Sequence, residues 1–125
     1  MNIGIKRIYE PARKADGMRI LVDRMWPRGI KKDEAGIDLW LKEVAPRTSL
    51  RRWFDHKPER WDTFRQRYVA ELSNNAAITE LRDLLKKRRR VTLLYSARDT
   101  DHNQAVVLAE YLKTSPRRKP ARGNA

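Results

Sequence analysis

The sequence predicts an α/β fold: a small, mainly parallel sheet flanked by helices in a single compact domain. Three observations predict it. Apolar runs around Ile3, Ile5 and Ile8, over residues 18–22, and over residues 91–95 have the length and branched content of strands. The long stretch between the second and third runs carries apolar side chains three and four residues apart, which is helix spacing. The last run is followed by another such stripe, as in one βα unit of a doubly wound fold.

Each element has a local reason. Glu10-Pro11 ends the first strand, and Asp16-Gly17 is a turn signal before the second. Whether these two strands form a hairpin or lie parallel is open. Residues 31–36 read as a polar turn or loop. Thr48 or Ser49 suits the cap of a short helix carrying Leu50, Trp53 and Phe54. Pro58 then opens a longer helix, where proline's missing N–H costs nothing. Its stripe is Trp61, Phe64, Tyr68 and Leu72, expected in the core. Ser73-Asn74-Asn75 ends that helix and caps the next, whose inner face is Ile78, Leu81, Leu84 and Leu85. Thr100 or Asp101 is expected to cap the last helix, packed through Ala105, Leu108, Ala109 and Leu112.

The domain is expected over residues 1–113. Residues 114–125 read as a basic disordered tail, with two prolines, a glycine, four cations and no apolar stripe. The 125 residues suit one domain. No apolar run approaches the ~20 residues of a membrane span, and the first residues lack a signal-peptide core. With no cysteine, disulfides, zinc-thiolate sites and cysteine chemistry are excluded. These features together point to a cytoplasmic protein with no membrane partner.

The net charge of +13 draws polyanions. It leaves two readings open, a nucleic-acid partner or a soluble basic surface. The run 86–90 has a plainer role, cations complementing a helix C-terminus.

The chemistry gathers at two strand ends. The second strand runs into Asp23-Arg24-Met25-Trp26-Pro27-Arg28-Gly29, and the third, through Tyr95, into Ser96-Ala97-Arg98-Asp99 with Asn103 beyond. Parallel strands present their carboxyl ends on one edge, where α/β ligands bind, so the segments are expected to share a cleft. Arg24, Arg28 and Arg98 would hold an anionic group. Asp23 and Asp99 would orient hydroxyls or move protons as the catalytic pair. Trp26, Tyr95 and Asn103 would touch the ligand, and Gly29 would allow positive φ or close approach. Each has a structural alternative. Asp23 or Asp99 could cap a turn, and Trp26 could be core beside Met25 and Pro27, which also favour burial. Ser96 has no partner histidine nearby in sequence. Two separated histidines make no metal site by spacing, and no phosphate-loop or dinucleotide motif implies a cofactor.

The segments 16–17, 22–29, Trp40 with 44–46, 50–54, Tyr68 with 71–72, and 92–95 with Asp99, Asn103 and Ala105 together resemble the family called domain of unknown function 488, in its YeaO-like branch. The resemblance covers about residues 3–112. It implies a compact α/β domain and assigns no activity. Where that family often has serine after Ala45-Pro46, this chain has Arg47. The leading expectation is an anionic small molecule, a nucleotide or sugar phosphate, bound at the strand ends, with hydrolysis or glycosyl transfer as the chemistry two carboxylates would serve. The alternatives are a non-enzymatic nucleic-acid-binding accessory, and an interaction module anchored by an exposed Trp53 or Trp61.

Overall fold

The computed structural model describes residues 2–114. The expected tail lies, from residue 115 onward, outside them. Strands β1 (Ile3–Arg7), β2 (Met18–Leu21), β3 (Leu39–Trp40) and β4 (Val91–Tyr95) form one sheet in the order β1-β4-β2-β3. Every pairing is parallel, with Ile3 and Met18 both in register with Val91. The last strand in sequence is thus central, and every residue of it is buried, so it reads as a nearly unbroken apolar run. β1 and β2 do not pair; β4 separates them.

Helices α1 (Thr48–Phe54), α2 (Trp61–Ser73), α3 (Ala77–Lys87) and α4 (Gln104–Lys113) all send buried side chains to one face of the sheet. There Ile20, Val22, Val91 and Leu93 meet Phe64, Tyr68, Leu81 and Leu108. The opposite face has no helix among the described residues. Ile8, Leu21 and Leu94 are covered there by Trp26, Ile30 and Ile37 from the segment between β2 and β3 and by Trp40 of β3. A doubly wound arrangement is therefore replaced by one helical layer and one layer of loop.

That loop layer needs a substitute for helix packing, and a buried carboxylate supplies it. Asp16, in a 3-10 turn at Lys14–Asp16, takes the Arg13 N–H at 3.0 Å, Lys6 Nζ at 3.1 Å and Arg19 Nη1 at 2.5 Å. Its carbonyl accepts the Thr92 hydroxyl from β4 at 2.7 Å. Arg19 continues to the carbonyls of Gly36 and Ala35. One hub thereby joins three strands and two connections. Gly17 follows at φ +66, and a Cβ there would fall on the Arg90 carbonyl. Only glycine fits that approach.

Several local expectations are corrected. Arg47, not Thr48 or Ser49, is the N-cap of α1; Glu71 Oε1 receives its N–H at 2.9 Å, so a distant carboxylate does the capping. Asn103, not Thr100 or Asp101, caps α4, its side-chain oxygen accepting the Val106 N–H. Met25 is 63% exposed although apolar, because the turn after β2 lifts it away from the sheet. Phe64, Tyr68 and Leu72 are core, but Trp61 is half-buried at the edge of that stripe. Trp53 is half-buried too, with the Arg60 and Arg67 guanidiniums over its ring at 5.2 and 4.7 Å. Neither indole stands free as an anchor.

Candidate functional site

The carboxyl ends of β2 and β4 are neighbours, and the segments that leave them do meet. Val22 N–H donates to the Leu94 carbonyl at 3.0 Å, which carries the pairing one residue past β2. Asp23 then turns its carboxylate across to β4. Oδ2 accepts the Ser96 N–H at 3.0 Å, and Oδ1 accepts the Gln104 amide from the first turn of α4. Trp40 Nε1 donates to the Asp23 carbonyl at 2.7 Å. Three elements converge on this one residue, which is only 8% exposed. Burial pushes its pKa up; the donors from Ser96 and Gln104 pull it down less strongly, because both are neutral.

A cleft of about 770 Å³ opens above Asp23. Its apolar wall is Phe54 stacked on Phe64, ring centres 4.3 Å apart. Arg28, Arg51, Arg52 and Arg98 line it as exposed cations. Among the described residues none of the four makes an ion pair; Arg51 reaches only the Met25 sulfur, at 3.5 Å. At the C-terminus of α1, Asp55 and His56 both have positive φ, so the rim turns sharply there.

Arg24 is placed differently. Nε donates to the Pro46 carbonyl at 3.0 Å and Nη2 to the Ala45 carbonyl at 2.9 Å. It lines the cleft while tying the turn after β2 to the entry of α1. Hydrogen bonds from a charged donor are worth about 1.5–3 kcal/mol each, so Arg24 is held far more firmly than the rim arginines.

Asp99 shapes the other side. Oδ1 accepts the N–H groups of Asp101 and His102 at 2.9 and 3.0 Å, and Oδ2 meets His102 Nδ1 at 2.9 Å. The Asp101 N–H, first, and the His102 contacts hold its pKa below the usual carboxylate value. The His102 ring is set edge-on to Trp61, 5.1 Å between centres. The half-buried indole thus backs a cleft residue. Asp99 and His102 form a pair, and no cluster of three His, Asp or Glu positioned to hold a metal occurs among the described residues.

The remaining candidates spread out. Trp26 borders the cleft, but its ring belongs to the loop layer, bonded to the Ile30 carbonyl at 2.7 Å and set edge-on against Trp40. Gly29 lies in an exposed turn at φ +79, where an added Cβ would meet nothing. Conformation, not close approach, is its use. Tyr95 is buried in the helical-face core and is not part of the cleft wall. Asn103 is a buried cleft residue whose amide also donates to the Asp99 carbonyl at 2.9 Å. Sequence reasoning missed Arg51, Arg52, His102 and Gln104. The signal for the arginines was their position in α1 beside the buried Leu50 and Phe54, on the helix face those two leave exposed.

Comparison with known proteins gives the family. A sequence profile described as "Inactive DUF488-N3 subclade" matches residues 2–124. The chain is similar to the uncharacterized protein YeaO of Escherichia coli (strain K12), 46% identical over 114 residues, 91% of this chain and 99% of that protein. It is 44% identical over 110 residues to the uncharacterized protein Rv3073c of Mycobacterium tuberculosis (strain ATCC 25618 / H37Rv), 88% of this chain and 92% of that protein. No solved structure matches. The chain belongs to the DUF488 family, in the subclade described as inactive.

Proposed function

We propose that this chain is a cytoplasmic binding protein for an anionic small molecule, a nucleotide or a sugar phosphate, taken at the carboxyl end of its sheet. The observation that carries the reading is the set of unpaired guanidiniums, Arg28, Arg51, Arg52 and Arg98, around one cleft. Clustered like charges repel, and a bound anion offsets that repulsion. The Phe54 and Phe64 wall offers a ring or sugar an apolar face, and a volume of 770 Å³ is in the range of small-molecule sites. No helix among the described residues is long and apolar enough to cross a membrane.

Binding without turnover is the form we favour. Both oxygens of Asp23 and both of Asp99 already accept hydrogen bonds. In this reading the two carboxylates position the arginine-bearing segments. The family description, an inactive subclade, agrees. Hydrolysis or glycosyl transfer would instead run through Asp23, whose raised pKa suits a proton carrier.

Calorimetric titration with a nucleoside monophosphate and with ribose 5-phosphate tests this. Arg51→Ala and Arg98→Ala are each expected to weaken binding tenfold or more, about 1.4 kcal/mol. Lysine at either position should rescue poorly, since it lacks the planar fork. Unchanged affinity in both alanine variants would overturn the reading. Conversion of either ligand by the wild type, lost in Asp23→Asn, would turn it into an enzyme.

A further inference from the structure

We propose a second site at the opposite, amino end of the sheet: a basic groove that holds the phosphate backbone of a nucleic acid. The groove has a volume of about 820 Å³ and is lined by Lys14, Lys87, Arg88 and Arg89, with Arg90 and Gly17 at its base. Among the described residues none of these cations makes an ion pair. The single carboxylate lining the groove, Asp38, is engaged by the Arg19 N–H at 2.8 Å.

The plain role of this run, complementing the dipole of α3, covers only part of it. Lys86 and Lys87 lie in the last turn, but Arg88 is already extended, and Arg89 follows outside the helix. The dipole effect fades within that last turn. Arg88 and Arg89 therefore add repulsion, and among the described residues neither forms an ion pair with the one carboxylate lining the groove, Asp38.

The base is rigid. Met18 N–H donates to the Arg90 carbonyl at 3.0 Å, beside the close approach that requires Gly17. The Arg90 guanidinium lies over Gly4, where a Cβ would collide with it, and Nη1 holds Asn2 Oδ1 at 2.6 Å. Its Nε is buried with no partner. The cations thus project from a fixed junction between β1, β2 and β4.

The chemistry favours a nucleic-acid backbone over a lipid surface. A membrane-docking face wants apolar side chains to insert among its cations. Among the described residues the large exposed apolar ones are Ile5, Tyr9 and Met25, and none lines this groove. The apolar side chains that line the groove are Ala15, which is small, and Met18, which is half-buried against the core. A concave row of point charges remains, which suits a chain of phosphates, read without base contacts.

The test uses the full chain, a fluorescent 20-base-pair duplex and anisotropy titrations across salt. Wild type should bind, with a log–log salt slope of about −3 or steeper, since each duplex phosphate contact contributes about −0.9. The variant K87Q/R88Q/R89Q should lose at least tenfold in affinity at ~0.1 M salt and about two to three units of slope. The variant K31Q/K32Q/K42Q removes the same charge from exposed residues outside the groove, and should lose less than threefold. Both variants should melt within a few degrees of wild type, as for surface changes. Equal losses in the two variants would reduce the site to diffuse attraction and overturn it. So would absence of duplex binding by wild type, or a groove variant that loses only inorganic polyphosphate binding.

Discussion

Two buried aspartates bracket strand β2, and the protein treats them oppositely. Asp16, before the strand, is surrounded by cations; burial would raise its pKa, but the Arg13 N–H, Lys6 and Arg19 bring it down to about 2. Asp23, just after the strand, meets only neutral donors, and burial leaves its pKa raised. The first arrangement compensates charge and fastens a helix-free layer to the sheet. The second leaves a carboxyl that Ser96, Gln104 and the nearby Arg51 charge compensate only in part, beneath arginines that make no ion pair among the described residues. Asp16 at the amino end of β2 serves to hold the fold, while Asp23 at its carboxyl end lies beneath the cleft proposed for a small anion.

The sharpest way to break the comparison is at Asp16. Asp16→Ala leaves Arg19 buried without its partner, and removing one member of a buried pair typically costs about 3–5 kcal/mol. Chemical denaturation should show that loss. A change under about 1 kcal/mol would mean the hub is ornamental. Gly17→Ala comes next, at about 1–3 kcal/mol from backbone strain alone, with the collision on Arg90 added. Thermal melts read it.

Asp23→Asn should be mild, within about 1 kcal/mol, because asparagine keeps an acceptor for Ser96 and the Gln104 amide can rotate to accept from it. The pH dependence sharpens the contrast. Asp16 has a folded pKa below its unfolded value. Its stabilisation is therefore complete above the ordinary 3.8 and is lost as pH falls through about 2. Asp23 has a folded pKa above its unfolded value. Its protonated form stabilises the fold at low pH, and that advantage is lost as pH rises through the folded pKa. Stability measured from pH 2 to 8 should thus lose its acid-side rise in Asp16→Asn and its higher-pH decline in Asp23→Asn. If both variants flatten the same side, the two aspartates are not opposites.

Much of the fold was legible because period and punctuation agree. The stripe Phe64, Tyr68, Leu72 admits one orientation, the nearly all-apolar β4 reads as a strand buried on both faces, and the structure buries both as expected. The cleft's two strand ends were legible for the same reason. Strand order was not: nothing local tells β1 that β4, not β2, will lie beside it. Caps failed where the partner is remote, as Glu71 is from Arg47. The arginines divided on a tertiary fact. Arg24 and Arg28 look alike in sequence, yet one meets the carbonyls of Ala45 and Pro46 while the other stands at the rim. Arg51 was invisible until α1 was docked over Asp23.

The central claim is that the carboxyl end receives a small anion. Amide chemical-shift mapping of the 15N-labelled full chain, titrated with a nucleoside monophosphate, tests it most directly. The account predicts saturable shifts centred on Asp23, Arg51, Ser96, Arg98 and Gln104, with Asp16 and its partners still. Shifts confined to Lys87, Arg88 and Arg89, or no saturable shifts at all, would contradict it.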